Sequence, residues 1–160
     1  MREQILSIDE DSFLLPLPIG NRKAVFQGAF LVSLSMTKDS VGDDSLSDSR
    51  ARQLFTERHE YLRGERKVFD IPYRLKGTAF QKKVWKQLEK IPYGETRTYK
   101  DIAILVSSPK ASRAVGMACN RNPIGIIVPC HRVIGSNQKL TGYVFGVERK
   151  KNLLSLEQGR

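Results

Sequence analysis

The segment Ile124–Ile134 constrains the fold of this chain more than any other stretch. It reads IGIIVPCHRVI, an apolar run that stops at Pro-Cys-His-Arg and then resumes. The run is long enough for a buried strand and too short to cross a membrane. Proline fixes φ and lacks a backbone donor, so we expect regular strand pairing to stop at Pro129. The sequence therefore predicts a thiol at the edge of a hydrophobic core, followed directly by an imidazole.

Cys130 and His131 are a candidate nucleophile and base. The thiolate is the reactive form, and an apolar environment raises the pKa of a thiol unless a neighbouring base offsets it. Successive side chains of extended backbone point to opposite faces, so proton transfer between the two needs a sharp turn or a bridging water. Taken alone, the dipeptide favours a structural cysteine beside a surface histidine, and the context elsewhere in the chain decides otherwise.

The sequence contains few cysteine and histidine residues, which limits disulfide formation and metal binding. Cys119 and Cys130 are the only cysteines, so no disulfide framework is expected. Together with His59 and His131 they lack ligand-like spacing, and we expect no metal and no cofactor. There is no charged-then-apolar leader and no run of about 18 apolar residues, which favours a cytoplasmic protein (nuclear in a eukaryote) without a membrane partner.

The positive charge is confined to the second half of the chain. Basic and acidic residues balance in 1–76, and residues 77–160 carry the whole formal net charge of +10. A basic half on a neutral half points to a polyanion, with nucleic acid as the first candidate. A solubilising cationic surface explains the charge alone equally well.

The first half is predicted to be a supporting domain, residues 1–76. Residues 1–37 are typical of strands, since apolar and polar residues alternate from Phe30 to Met36. Pro16 and Pro18 place the preceding stretch at an edge or a turn. Residues 38–48 favour a loop.

A helix is then predicted around Leu54–Leu62. Gly64 is placed to end it, and His59 is expected on its surface. Residues 67–75 are typical of extended chain. We place the domain boundary near residue 76.

The second half, residues 77–160, begins with a helix signature. Thr78 and Gln81 fit a capping box, and Pro92-Tyr93-Gly94 predicts the turn that follows the helix. A short helix is expected over Tyr99–Val106. Ser108 and Pro109 then predict the start of another helix, which would reach about Asn120.

Two short helices joined by a tight turn in a basic half indicate a helix-turn-helix. The second helix is thin because of Ala114 and Gly116, with Ala111 and Ala118 beside them. A thin helix suits the minor groove and little sequence readout. Arg113 is a candidate to enter the base stack where a base has been removed; a phosphate contact or an exposed charge are the alternatives.

Val147–Glu157 is predicted to be the last helix. Its apolar residues include Val147, Leu153 and Leu154, and Lys150 and Lys151 are expected to face solvent or phosphate. Glu157 is a surface carboxylate by default, and it becomes interesting only if it reaches His131.

In this context the chain resembles the O(6)-alkylguanine-DNA alkyltransferases, also called methylated-DNA–protein-cysteine methyltransferases. The resemblance covers about residues 69–157. It rests on these motifs in order: Gly77-Thr78-x-Phe80-Gln81-x-x-Val84-Trp85, Ile91-Pro92-Tyr93-Gly94, Thr98-Tyr99, Arg113-Ala114-Val115-Gly116, Asn120-x-Asn122-Pro123, Pro129-Cys130-His131-Arg132 and Gly142-Tyr143. The implied fold class is α/β (α+β): a small N-terminal domain with an antiparallel sheet and a helix, then a mainly helical, winged-helix-like C-terminal domain carrying the cysteine.

The resemblance also implies roles for individual residues. Cys130 would accept the alkyl group, His131 would deprotonate it through a water, and Glu157 would polarise the imidazole. Tyr99 would favour protonation of the leaving guanine, and Asn122 would tie the thin helix to the active-site turn. The remaining residues would contact the DNA and the flipped base. Arg113 would fill the gap in the duplex, and Ala114 and Gly116 would line the DNA-binding helix. The backbone at Val133 and Val144 would bind the guanine edge.

The implied function is repair of double-stranded DNA in one turnover. A group on guanine O6, and by extension on thymine O4, is reached only after the base is flipped out. Phosphate contacts from the basic half need no sequence readout. Transfer to sulfur gives a thioether that nothing in the sequence would hydrolyse, and a monomer suffices. The alternatives are a non-catalytic lesion-binding protein on the same fold, disfavoured because Cys130 is present, and a cysteine hydrolase unrelated to DNA.

Overall fold

The structure, a computed structural model, describes residues 10–16, 20–42, 46–140, 143 and 146–159. Its strands are β1 (Glu10–Leu15), β2 (Arg22–Gln27), β3 (Phe30–Met36), β4 (Arg97–Thr98) and β5 (Val133–Ile134). Its α-helices are α1 (Ser49–Leu62), α2 (Ala79–Glu89), α3 (Tyr99–Leu105), α4 (Ser112–Asn120) and α5 (Val147–Glu157). Within the described ranges, no helix has both the length and the apolar character needed to span a lipid bilayer.

The first three strands form an antiparallel sheet in the order β1-β2-β3, which confirms the strands predicted before residue 37. Alternate side chains such as Ala24, Phe26 and Leu34 are buried on one face of this sheet. β1 ends directly before Pro16, as expected for a residue without a backbone donor. The sheet thus has one face available for packing against a helix.

α1 follows the sheet and is longer than the sequence predicted. The side chain of Asp48 caps it by accepting hydrogen bonds from the backbone N–H groups of Arg50 and Ala51. Its buried face includes residues at helical spacing: Ala51, Leu54, Arg58 and Tyr61. His59 is half-buried rather than on the surface, because its ring stacks on that of Phe55.

Two groups of buried apolar residues hold these elements together. One lies under the sheet and α1 and includes Leu15, Phe26 and Leu54. The other lies among the later helices and includes Trp85, whose indole N–H donates to the carbonyl of Ala118 at 2.8 Å. Ile124 and Ile127 belong to the first group although they come from the second half. The division of the chain at residue 76 stays a prediction.

Residues 67–75, predicted to be extended chain, contain bends, open chain and a bridge residue but no regular strand. They make one isolated bridge to the sheet, in which Leu31 donates to the carbonyl of Pro72 at 2.9 Å and Arg74 donates to the carbonyl of Leu31 at 2.9 Å. Pro72 lacks a donor, so a longer ladder cannot form around it.

The capping box that starts α2 is confirmed. Thr78 Oγ1 accepts from the N–H of Gln81 at 3.1 Å, and Gln81 Oε1 accepts from the N–H of Thr78 at 3.0 Å. The predicted turn follows, with Gly94 at φ 83°. A Cβ on Gly94 would lie 3.1 Å from the carbonyl oxygen of Glu157, so this glycine lets the turn approach the end of α5.

The second helix of the helix-turn-helix begins later than predicted. α4 starts at Ser112, and neither Ser108 nor Pro109 belongs to it. Ser107 has φ 60°, and the N–H of Ser108 instead donates to the carbonyl of Ala103 at 2.9 Å, closing the end of α3. A separate turn then leads into α4, which has no side-chain cap.

The apolar run before Cys130 is not a strand, which corrects the expectation for this segment. Ile126 has φ 74°, and the N–H of Val128 donates to the carbonyl of Ile124 at 3.0 Å, so the chain turns there. Cys130–Arg132 form one turn of 3-10 helix. β5 follows and pairs in parallel with β4, which sets Thr98 opposite Ile134. This pairing brings the start of α3 next to the Cys-His-Arg turn.

Candidate active site

Cys130 lies at the first position of the 3-10 turn and is 2 % exposed. Burial raises the pKa of its thiol, whereas a hydrogen bond from Asn122 and the positive charge of Lys150 lower it, and burial prevails. The resting thiol is therefore protonated at neutral pH. It needs a base to become a nucleophile.

Asn122 holds the turn that carries the cysteine. Its Nδ2 donates to the carbonyl of Val128 at 2.7 Å, and its Oδ1 accepts from the N–H of Ile124 at 3.0 Å. Because α4 ends at Asn120, this amide connects the end of that helix to the segment before Cys130. The structure thus places Asn122 between the two elements that the sequence expected it to join.

His131 and Glu157 meet in the core. Nε2 of His131 lies 2.7 Å from Oε2 of Glu157, and both side chains are fully buried. A carboxylate only accepts hydrogen bonds, so Nε2 carries the proton and Nδ1 keeps its lone pair. Within the described part of the chain, Nδ1 has no hydrogen-bond partner. Glu157 is consequently not the surface carboxylate assumed by default.

The carboxylate of Glu157 also binds two side chains that sequence reasoning did not single out. Tyr61 Oη donates to Oε2 at 2.5 Å. The guanidinium of Arg132 donates to Oε1 at 2.7 Å and to Oε2 at 3.0 Å. Arg132 is itself oriented by donating from Nη1 to the carbonyl of Ile91 at 2.7 Å.

These contacts determine the ionisation states of the buried Glu157 and His131. Burial alone would raise the pKa of Glu157, but the hydrogen bonds from His131, Arg132 and Tyr61 hold it well below its usual range. Burial lowers the pKa of His131, and the nearby charges of Arg132 and Lys150 act in the same direction against the effect of Glu157. We conclude that Glu157 is ionised and His131 neutral at pH 7.

Tyr99 and Lys150 form the other side of the site. Lys150 Nζ donates to the carbonyl of Val133 and lies 3.4 Å from Oη of Tyr99. Burial, together with the negative charge that Cys119 and Cys130 can carry, raises the pKa of Tyr99 to about 12, so its phenol keeps its proton. Lys150 is fully buried, and the expectation that it faces solvent or phosphate is wrong.

A surface groove of about 390 Å³ opens beside Tyr99. It is also lined by Arg113 and Gly116 of α4 and by Gly135 and Ser136 after β5, with Lys100, Ser112 and Asn120. Arg113 and its neighbour Ala114 are exposed at the start of α4. The groove therefore brings the candidate DNA-binding residues next to the candidate catalytic tyrosine.

Of the two residues whose backbone was predicted to bind the guanine edge, the structure describes one, and the role stays a prediction for both. The backbone of Val133 lies in β5, beside the Cys-His-Arg turn, and its carbonyl accepts from Lys150. Val144 lies outside the described residues.

Tyr61, Arg132 and Lys150 are the site residues that sequence reasoning missed, although helical spacing carried a signal for two of them. Lys150 and Glu157 stand seven positions apart and share the buried face of α5 with Leu153 and Leu154. Tyr61 shares the buried face of α1 in the same way. Among the described residues, no group of three or more His, Cys, Asp or Glu side chains could hold a metal ion.

The chain was compared with known proteins. The family model described as "6-O-methylguanine DNA methyltransferase, DNA binding domain" matches residues 79–159. A methylated-DNA–protein-cysteine methyltransferase of Methanosarcina acetivorans is 58% identical over 106 residues, 66% of this chain and 68% of the relative. The Methanosarcina barkeri protein of the same name is 48% identical over 142 residues, 87% of each chain.

Solved structures agree with these relatives. The crystal structure of the Mycobacterium tuberculosis O6-methylguanine methyltransferase matches with a TM-score of 0.82 and 42% identity, covering 95% of this chain and 94% of that one. The Mycobacterium tuberculosis OGT in complex with DNA matches with a TM-score of 0.81 and 41% identity over 92% of each chain. The predicted α/β (α+β) fold class is confirmed by this likeness. This chain belongs to the methylated-DNA–protein-cysteine methyltransferase family.

Proposed function

We propose that the chain repairs alkylated DNA by transferring an alkyl group from O6 of guanine, and by extension from O4 of thymine, to the sulfur of Cys130. One observation carries this proposal: Nε2 of the buried His131 lies 2.7 Å from the Glu157 carboxylate, and Nδ1, which is left as the basic nitrogen, is unpartnered in the described chain. A buried thiol with a raised pKa needs such a base.

Activation of the sulfur begins the reaction. The thiol proton of Cys130 passes through one water to Nδ1 of His131, and the imidazolium that forms is stabilised by the carboxylate of Glu157. The hydrogen bond from Asn122 and the charge of Lys150 stabilise the thiolate. No oxidant, metal or cofactor enters this step.

Transfer follows by in-line attack. The thiolate forms a bond to the alkyl carbon, and the bond from that carbon to guanine O6 breaks. The electron pair goes to the base, which leaves as an anion and takes a proton from the Tyr99 phenol, 3.4 Å from Lys150 Nζ. The Tyr99 phenolate regains a proton by way of water from the imidazolium of His131, so the thiol proton ends on the guanine. The product is a thioether on Cys130 and an unmodified guanine, so each molecule reacts once.

The DNA would dock on the helix-turn-helix. Arg113 stands exposed at the start of α4 beside the groove that Tyr99 lines, which supports insertion of its side chain into the stack left by the flipped base. The small side chains of Ala114 and Gly116 favour close approach to the minor groove and little sequence preference. The basic second half supplies phosphate contacts, and one protomer contains every group used.

Incubation of the protein with a duplex carrying one labelled O(6)-methylguanine tests the proposal. We expect a mass increase of one methyl group on Cys130, with a stoichiometry near one. Cys130→Ser should lose transfer and keep duplex binding, and Cys119→Ser is the matched control that should keep both. Binding without transfer would favour the non-catalytic lesion-binding alternative, and label on Cys119 would contradict the assignment of the nucleophile.

A further inference from the structure

A small cavity lies where the sheet, α1, α5 and the segment before Cys130 meet. It is lined by Arg22, Leu34, Arg58, Gly125, Ile126, Tyr143 and Arg149, and we call it the arginine cavity. Its free volume is about 10 Å³, which is room for about one body of the size of a water molecule. None of these arginines takes part in the alkyl transfer described above.

Arg58 is the residue that makes the arginine cavity unusual. It is 2 % exposed, and within the described part of the chain neither Nε nor Nη2 has a hydrogen-bond partner. A buried guanidinium with two unpartnered nitrogens is costly, because those nitrogens have given up the water that solvated them. Buried charges are therefore normally paired with an opposite charge.

The other charges at the cavity increase this cost. Burial, and after it the charge of Arg22, lowers the pKa of Arg58 to about 10. Arg22 is itself buried, and this burial, followed by the charge of Arg149, lowers the pKa of Arg22 as well. Among the described residues that line the cavity there is no carboxylate. The phenol of Tyr143 adds a neutral hydroxyl, since burial raises its pKa.

We propose that the arginine cavity is a binding site for one monatomic anion, of which chloride is the cellular representative. The anion accepts hydrogen bonds from Nε and Nη2 of Arg58 and is attracted by the positive charges of Arg22 and Arg149. The size of the cavity selects a single-atom anion over phosphate or sulfate, whose four oxygens do not fit. Because Arg22, Arg58 and Arg149 come from β2, α1 and α5, the bound anion holds these three elements together.

Thermal unfolding of the protein without DNA tests the site. Chloride and gluconate are compared at equal ionic strength, since screening is then the same and gluconate is too large for the cavity. We expect the Tm to be higher in chloride by about 3 °C or more, because an anion that binds only the folded state stabilises it. DNA is left out because salt weakens DNA binding through counterion release whatever the anion.

Arg58→Leu separates this site from general salt effects. It should abolish the difference between chloride and gluconate, and Arg52→Leu, an exposed arginine on the same helix, should keep it. A difference of less than about 3 °C in the wild-type protein, or an undiminished difference in Arg58→Leu, would overturn the proposal.

Crystals of the wild-type protein grown in sodium bromide test the site without any substitution, so misfolding of a variant cannot affect the result. An anomalous peak within hydrogen-bond distance of Arg58 Nε or Nη2 is expected. A peak at that position without anomalous signal would identify a water, and the proposal would then be wrong.

Discussion

His131 Nε2 lies 2.7 Å from Glu157 Oε2, although 26 residues separate the two in the sequence. This contact decides which nitrogen of the imidazole carries the proton, because the carboxylate can only accept. It leaves Nδ1 as the basic atom, and no described group competes for it. Helix α5 therefore contributes to the chemistry of a cysteine that it does not carry.

Replacing Glu157 with Gln should slow alkyl transfer by about 100-fold, in the range of general-base effects. The amide cannot stabilise an imidazolium by charge, and it can present its NH₂ group to Nε2 and so favour the wrong tautomer. Single-turnover rates with an O(6)-methylguanine duplex measure the loss. Glu148→Gln, an exposed carboxylate on the same helix, should react at the wild-type rate. A rate for Glu157→Gln within about threefold of wild type would contradict the role of the carboxylate.

The hydroxyl of Tyr61 should contribute to stability through the same carboxylate. It donates to Glu157 Oε2 at 2.5 Å, and hydrogen bonds to charged groups contribute about 1.5–3 kcal/mol. Tyr61→Phe is expected to lower the free energy of unfolding by an amount in this range, measured by urea denaturation. Tyr93→Phe removes a hydroxyl from the ring that packs edge-on against Tyr61 and should cost less than half as much. Equal losses would mean that the contact to Glu157 contributes nothing specific.

Lys150→Met should shift the pH dependence of transfer. Its charge lowers the pKa of the Cys130 thiol, so its removal leaves less thiolate at neutral pH. We expect a rate about tenfold lower at pH 7 for each pKa unit gained by the thiol, with partial recovery at pH 9. Lys151→Met, an exposed neighbour, is the control. A loss by the same factor at every pH would instead indicate a structural effect on Val133, whose carbonyl Lys150 binds.

Arg113→Ala should separate base flipping from chemistry. Its exposed side chain lies beside the groove near Tyr99 and touches no group of the Glu157 network. Transfer from a duplex is expected to fall about tenfold or more, because losing about 1.4 kcal/mol of the few kcal/mol that flipping a base costs already changes the rate tenfold. Reaction with free O(6)-methylguanine should be unchanged. Arg121→Ala, which removes an exposed arginine just after α4, should change duplex transfer far less. Equal losses on duplex and free base would argue against the flipping role.

Glu157 should also make the protein less stable in acid. Its pKa in the folded protein is lower than the value of about 4.3 that it has when unfolded. Between these pKa values the unfolded chain binds more protons than the folded one, so stability is present above about pH 4.3 and is lost as the pH falls through the folded pKa. Urea unfolding of the wild type and Glu157→Gln from pH 7 to pH 3 checks this. The wild-type advantage should shrink toward acid; a constant advantage would mean that ionisation of Glu157 is not the cause.

Local signals in the sequence were reliable where a few neighbouring residues decide the structure. The capping box of Thr78 and Gln81 is confirmed, because both of its hydrogen bonds lie within one turn. The start of α4 was predicted wrongly at Ser108 for a related reason. Ser108 has the right side chain for a cap, but it lies in the turn that closes α3, where its backbone N–H donates to the carbonyl of Ala103, and α4 begins only at Ser112. Competition between two neighbouring elements is invisible to a rule that considers one element at a time.

The predictions that placed two charged side chains at the surface were wrong, because both side chains are buried. Lys150 and Glu157 were expected at the surface because lysine and glutamate are almost never fully buried unless they are paired. Both are buried, since each finds its partners in distant parts of the chain: the carbonyl of Val133 for Lys150, and Tyr61, His131 and Arg132 for Glu157. The spacing of apolar residues predicts which face of a helix is buried. It does not predict which polar groups from distant segments will pack against that face.

The sequence by itself determined the order of the α-helices, the strands of the first sheet, the thiol next to an imidazole, the basic second half and the family resemblance. These properties depend on the types of residues and on their local spacing. Only the tertiary structure decided that Cys130–Arg132 form a helical turn and that His131 donates to Glu157. It alone also decided that Arg58 is buried with Nε and Nη2 unpartnered in the described chain. The physical reason is that burial and hydrogen-bond pairing depend on which distant segments meet, and these set the charge and the reactivity of each group.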